Sequence, residues 1–125
     1  MAKITLNRPE TFNSLSLKML ESLSKRIEDC FSPEIRAVVI TGSGKSFCAG
    51  GDLKEMQAAG AAQLSNVLGD LTKVLHRLIL DIRFLPKPVV AAINGSLGGA
   101  GFSLALTCDL RFAVETARFK QAYTS

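Results

Sequence analysis

At 125 residues, 47% of them apolar, the chain is long enough to build one globular, soluble domain around its own core, and no apolar run is long enough to span a bilayer. The net charge of +4 is modest and its signs are interleaved, which excludes a basic stripe for nucleic acid and reads as a mixed solvated surface, of weak help at most to a polyphosphate ligand. Three widely and irregularly spaced cysteines, Cys30, Cys48 and Cys108, fit neither a disulfide framework nor a zinc site, so they read as reduced, small apolar residues and no metal is expected. The N-terminus has no secretory pattern, which makes the cytoplasm the expected compartment.

Taken in chain order, Ile4-Thr5-Leu6 reads as a strand stopped by Asn7-Arg8-Pro9, because proline cannot donate to a ladder. Ser16 is a good N-cap for a helix to about Phe31, with Leu17, Leu20, Leu23 and Ile27 on one face and Pro33 closing it. Residues 36–41 form a strand whose centre, Val38-Val39-Ile40, is apolar without alternation; that predicts burial on both faces and hence a parallel sheet. Leu53 to Ala59 reads as a short helix broken at Gly60. A longer helix from about Ala61 to Phe84 carries Leu64, Leu68, Leu71, Leu75, Leu78 and Ile82 as a stripe for a core or a helix seam, too short and too embedded in globular signals for a coiled coil. Pro86 and Pro88 lead into a strand from Val89 to Ile93; a helix from about Ala100 to Thr107 and a strand from Leu110 to Val114 follow. The alternation of strand and helix predicts an α/β architecture.

Two glycine-rich turns stand out, each following one of the β-branched runs: Phe47-Cys48-Ala49-Gly50-Gly51-Asp52-Leu53 and Asn94-Gly95-Ser96-Leu97-Gly98-Gly99-Ala100-Gly101. Glycine lets a backbone approach a ligand closely, and a helix N-terminus offers unpaired N–H groups, so two such turns can aim two donors at one anionic oxygen.

These turns, together with Ile4-Thr5-Leu6-Asn7-Arg8-Pro9, Asn13-Ser14-Leu15-Ser16, Cys108-Asp109-Leu110-Arg111 and Phe119-Lys120-Gln121-Ala122-Tyr123, resemble the crotonase (enoyl-CoA hydratase/isomerase) superfamily in order and spacing. The resemblance covers roughly the N-terminal half of a usual member. It implies a crotonase-like spiral of ββα units, truncated before the C-terminal helical region used for oligomerisation, so that residues 1–125 form a partial acyl-CoA-binding domain. It further implies an acyl-CoA thioester as partner, a homo-oligomer, and no cofactor other than the coenzyme A within the substrate.

Carried over residue by residue, the resemblance makes the N–H groups of Gly51 and Ala100 the donors to the thioester oxygen. Alanine at 100, where many relatives have glycine, keeps the N–H and adds a methyl beside the carbonyl pocket. Ala49, Gly50, Asp52 and Leu53 flank the first donor as substrate-binding positions, although Asp52 also reads as a cap for the helix that follows. Asn13, Ser14 and Leu15 resemble the segment whose backbone meets the adenine end of coenzyme A, and they also read as a helix-entry turn. Ser103 and Tyr123 stand where the family's hydratases carry their two glutamates, and neither is a carboxylate; paired-glutamate hydration is therefore disfavoured. The Phe-x-Gln-Ala-Tyr pattern resembles an isomerase-like branch whose aspartate lies further along than Ser125. The expected activity is thus double-bond isomerisation through a stabilised enolate. The rival is a non-catalytic subunit or fragment of the same fold that binds acyl-CoA or a partner, and hydration or hydrolysis by an unusual water-activating residue stays open behind it.

Two other motifs fail on inspection. Gly42-Ser43-Gly44-Lys45-Ser46 lacks the first glycine of a phosphate-binding P-loop, since Val39 stands there, and no helix follows the serine directly. Gly98, Gly99 and Gly101 lack the spacing of a dinucleotide fingerprint. The lone His76 falls within the long helix, away from both turns, and reads as a surface or core-edge residue.

Overall fold

Short runs of β-branched and apolar residues pair side by side into two parallel sheets in the computed structural model, which describes residues 1–51, 53–117, 119 and 120. The first sheet joins β1 (Ala2–Leu6), β2 (Val38–Gly42), β4 (Val89–Ile93) and β6 (Leu110–Ala113) in the order β1-β2-β4-β6. Its register sets Ala2 opposite Val38, Val38 opposite Val89 and Val90 opposite Leu110. The second joins β3 (Ser46–Cys48), β5 (Ser96–Gly98) and β7 (Phe119–Lys120) in that order. After β1, each pass of the chain leaves one strand in each sheet, and the first two of these passes then enter α2 (Leu53–Phe84) and α3 (Ala100–Thr107). This is the expected α/β spiral of ββα units.

The turns read from the sequence therefore begin as strands. Ser46-Phe47-Cys48 is buried at all three positions, and three residues flanked by glycine carry no period that could announce a strand. In β2 the expectation of burial on both faces is met on one only: Val38 and Ile40 are sealed and Val39 is half-exposed.

Helix α1 (Leu17–Asp29) begins where its cap requires, with the Ser16 Oγ accepting from the Met19 N–H at 3.1 Å, and it buries Leu20, Leu23 and Ile27. It stops two residues short of Phe31. The Lys87 ammonium takes over there, donating to the carbonyls of Cys30 (2.6 Å), Ser32 (2.9 Å) and Ile35 (2.6 Å), a cation placed at the negative end of a helix.

Gly60, at φ 74° and ψ 169°, breaks α2 where the sequence predicts. The leucine stripe beyond it is core in its second half alone: Leu71, Leu78 and Ile82 are buried, while Leu64 and Leu68 face solvent at 36% and 40% exposure. Strand β6 is likewise open, with Leu110 and Phe112 more than half exposed on the edge of the first sheet. Among the described residues no helix is long and apolar enough to cross a membrane.

Candidate functional site

The pairing of β3 with β5 sets the two glycine turns side by side, since both leave the second sheet at the same end. Gly50 (φ +103°) and Gly99 (φ +51°) sit in the left-handed region, which lets each strand swing sharply into the next segment. The contact is close: a Cβ on Gly50 would lie 2.9 Å from the Gly98 carbonyl oxygen and 3.5 Å from the Ala100 nitrogen. Gly101 seats the first turn of α3 directly on β3, because a Cβ there would meet the side chain of Cys48 at 2.8 Å.

Gly51, the residue after Gly50, and Ala100 are thereby set close to one another. Among the described residues neither N–H donates a hydrogen bond, and both residues are half-buried. Ala100 is the first residue of α3, where the helix leaves its N–H groups unpaired and its dipole is positive.

The 12–15 segment braces this arrangement. The Ala49 N–H donates to the Phe12 carbonyl at 3.0 Å, the Leu15 N–H donates to the Gly50 carbonyl at 2.6 Å, and Leu15 bridges Gly51. Asn13 is fully buried: its amide donates to the carbonyls of Ser43 and Ser46, both at 2.9 Å, and its oxygen accepts from the Arg8 N–H at 2.7 Å. Asn94 completes the frame from the other turn, donating to Gly44 and Ser46 and accepting from the Gly42 N–H at 3.0 Å. The glycine-serine segment 42–46 is thus a connection held by two asparagines that runs into β3, in keeping with its failure as a P-loop.

Of the sequence-predicted binding positions, Asn13 and Leu15 are therefore framework by side chain, with only backbone to offer a ligand. Ser14 is different. Its hydroxyl is buried and, among the described residues, has no hydrogen-bond partner. Ala49 is exposed, Gly50 is buried, and Leu53 opens α2; Asp52 and Tyr123 lie outside the described residues. Ser103 is exposed on the first turn of α3, and His76 is exposed on α2.

The cysteines are buried and free. Burial pushes the Cys48 thiol up to about 11 against an opposing hydrogen bond from Gly50, and pushes Cys108 up to about 12, with Asp109 adding to the rise and Arg111 opposing it. Burial also raises Cys30, with Lys87 pulling the other way and Asp29 adding. None supplies a thiolate near neutral pH, so none is a nucleophile.

Beside the turns lies a cavity of about 310 Å³ lined by Phe12, Ser46, Ala49, Ser96, Leu97 and Gly98. Sequence reasoning passed over Phe12, whose signal is an exposed aromatic just before the buried asparagine. A larger groove, about 730 Å³, runs between β1 and α1, and neither Gly51 nor Ala100 is among the lining residues of either space.

The enoyl-CoA hydratase/isomerase family matches residues 1–125. YngF of Bacillus subtilis, whose name joins hydratase and isomerase, is 46% identical over 119 residues, covering 94% of this chain and 44% of YngF. The trans-2-decenoyl-acyl-carrier-protein isomerase of Streptococcus mutans is 32% identical over 126 residues, covering 100% of this chain and 48% of that protein. The solved structure of Pseudomonas aeruginosa PA4980 superposes with a TM-score of 0.92 at 47% identity, over 98% of this chain and 52% of that one. The chain spans about half the length of the curated relatives it matches. On the match of its full sequence, the chain belongs to the enoyl-CoA hydratase/isomerase family.

Proposed function

We propose that the chain holds the thioester oxygen of an acyl-CoA between the N–H groups of Gly51 and Ala100 and stabilises the enolate formed when a proton leaves the acyl chain. One observation carries this reading: the contact of Gly50 with the start of α3, which brings the unpaired N–H groups of Gly51 and Ala100 close to one another. An enolate concentrates charge on the former carbonyl oxygen, and fixed donors meet that charge without reorganising. The positive end of α3 adds to them.

The reaction we assign is double-bond isomerisation. Moving a double bond requires one base to take a proton at one carbon and return it at another, whereas adding water requires a group to activate it. Ser103, at a hydratase glutamate's place, is a poor base with no basic partner. In this reading the proton is carried by a carboxylate from outside residues 1–125, and coenzyme A enters only as part of the substrate. Self-association belongs to the same proposal, because Leu110 and Phe112 leave an apolar sheet edge open. A second reading, acyl-CoA binding without turnover, draws on the same Ser103.

Ala100→Pro tests the assignment, since proline lacks the N–H yet is tolerated at the first position of a helix. Within a longer protein that also carries the downstream carboxylate, the wild-type sequence should convert a 3-enoyl-CoA to its 2-enoyl isomer. The variant, with unchanged circular dichroism, should lose the ~2.7–4 kcal/mol of transition-state stabilisation typical of one such donor, about 10²–10³-fold in rate. Full activity in a folded variant removes Ala100 from the mechanism. Water addition to a 2-enoyl-CoA replaces isomerisation by hydration, and binding without turnover favours the second reading.

A further inference from the structure

We propose that Arg8 is a positioning residue for the reaction: acting through two successive peptide groups, its guanidinium aligns and polarises the Gly51 N–H that meets the thioester oxygen. The inference rests on the proposed function and adds to it a residue outside both glycine turns.

The two donors are not held alike. Ala100 is the first residue of α3, so the helix itself fixes the direction of its N–H. Gly51 follows Gly50, and a peptide between two glycines turns at little steric cost, so this N–H needs a hold from outside. Leu15 supplies it. Its N–H donates to the Gly50 carbonyl at 2.6 Å, and Leu15 is buried in the core cluster, which keeps the donor still. The C=O of Gly50 and the N–H of Gly51 belong to one trans peptide and point in opposite directions. Fastening the carbonyl on Leu15 therefore aims the Gly51 N–H away from the 12–15 segment. Turning the peptide over would set that N–H against the Leu15 N–H, donor facing donor.

The same geometry runs one step further back. The Leu15 N–H shares its trans peptide with the Ser14 carbonyl, and that carbonyl accepts from Nη1 of Arg8 at 3.2 Å. A positive charge thus stands at the head of a line of dipoles made by the Ser14–Leu15 peptide and the Gly50–Gly51 peptide, and the line ends where the enolate oxygen develops its charge. A carbonyl that accepts a hydrogen bond makes the N–H across its peptide a stronger donor, by about 10–30% for each bond in the line, and a cationic donor polarises more than a neutral one. Arg8 is itself half-buried and fastened to the frame by its backbone: its N–H donates to the Asn13 amide oxygen at 2.7 Å, and its carbonyl accepts from the Asn13 N–H at 2.9 Å. The guanidinium cannot lose its proton in the working pH range, so the line stays polarised throughout. Arg8 acts here without touching the ligand.

The test uses cinnamoyl-CoA, whose absorbance moves to longer wavelength as hydrogen bonds to its carbonyl oxygen draw electrons along the conjugated chain, with coenzyme A alone as the comparison ligand. Two variants break the line at different links. Arg8→Gln removes the charge; an ester oxygen in place of the Leu15 amide nitrogen, in a chain joined at Cys30 from a synthetic 1–29 segment, removes the N–H and leaves Arg8 in place. We expect each to keep at most about half of the wild-type red shift and to bind cinnamoyl-CoA about fivefold more weakly, with coenzyme A alone within about twofold of wild type. Arg8→Lys, which keeps the charge, should restore most of the shift. An ester at Leu20, whose N–H donates to the Ser16 carbonyl at 2.9 Å, costs a backbone bond elsewhere and should leave the shift whole. Thermal melts show which variants are folded, and either line-breaking variant decides the matter if the other does not fold. An undiminished shift in a folded Arg8→Gln or Leu15 ester chain overturns the inference, as does an equal loss of coenzyme A alone, a result that makes Arg8 a nucleotide contact or a prop of the fold. A wild-type chain that binds cinnamoyl-CoA without any shift removes the two-donor site itself, and the proposed function falls with the inference.

Discussion

Asn13 is the residue whose removal most directly tests how the first glycine turn is held. Three short hydrogen bonds end on its buried amide, to the Arg8 N–H and to the carbonyls of Ser43 and Ser46, beside a long one of 3.5 Å from the Ser43 hydroxyl. At roughly 1 kcal/mol net for each, Asn13→Ala should lose about 3 kcal/mol, kept from being larger because the Ser46 carbonyl retains the Asn94 amide at 3.0 Å. Asn13→Gly should lose about 1 kcal/mol less than Asn13→Ala, since glycine removes the Cβ that at φ 58° meets the carbonyl that follows. Against a total stability of about 5–15 kcal/mol these are large fractions. Urea titration gives both values, and the denaturant midpoint should fall in the order wild type, glycine, alanine with little change in slope. An alanine variant as stable as the glycine variant, or a glycine variant within about 1 kcal/mol of wild type, would refute the reasoning. The double replacement with Asn94→Gly sharpens the test: it strips both amide donors from the Ser46 carbonyl, so the pair should cost at least ~0.5 kcal/mol more than the sum of the singles.

Lys87→Met should destabilise the chain by about 2–4 kcal/mol in the same titration, because the carbonyls of Cys30, Ser32 and Ile35 lose a shared ammonium, and Lys87→Arg should rescue only part, its planar fork being unsuited to three convergent acceptors. The cysteines set an alkaline limit. Folded Cys48 and Cys108 hold their protons to about 11 and 12, whereas the unfolded thiols release theirs near 9, so the unfolded state gains first as pH rises. Melting temperature should be insensitive to these thiols below about pH 9 and fall above it; a melting temperature that climbs between pH 9 and 11 would contradict the assigned burial.

Much of the fold is legible where a local rule decides the outcome. Ser16 caps α1 through its own side chain, Gly60 breaks α2 by its conformation, and α3 runs from Ala100 to Thr107 as read. What escapes depends on partners distant in sequence. Ser46-Phe47-Cys48 and Ser96-Leu97-Gly98 become strands because each supplies the other's ladder, and neither has a period of its own. Leu64 and Leu68 carry the same helical spacing as Leu71 and Leu78, yet nothing in that spacing says where the cover stops. The candidate donors can be named from the glycine turns, but that Gly50 touches the start of α3 follows from sheet pairing alone. Asn13 reads as a helix-entry or ligand-contact residue; that its amide reaches Ser43 and Ser46 is a tertiary fact.

The spiral of paired sheets also fixes the order in which the protein can assemble. No strand here pairs with a chain neighbour through a tight hairpin: Val38 waits for Val89, and the Gly42 N–H finds its acceptor on Asn94, 52 residues on. Such distant pairings fold slowly, because loop closure must be completed before any contact rewards it. Helices α1 and α2 have local instructions and can form while the chain is still emerging from the ribosome, whereas a nascent chain that has reached Gly60 has the 12–15 segment to brace the first glycine turn but no β5 to pair with β3. The juxtaposition of Gly51 and Ala100 is therefore among the last features to exist, and a variant that slows strand pairing should delay it even where the helical signal has already returned to its native value.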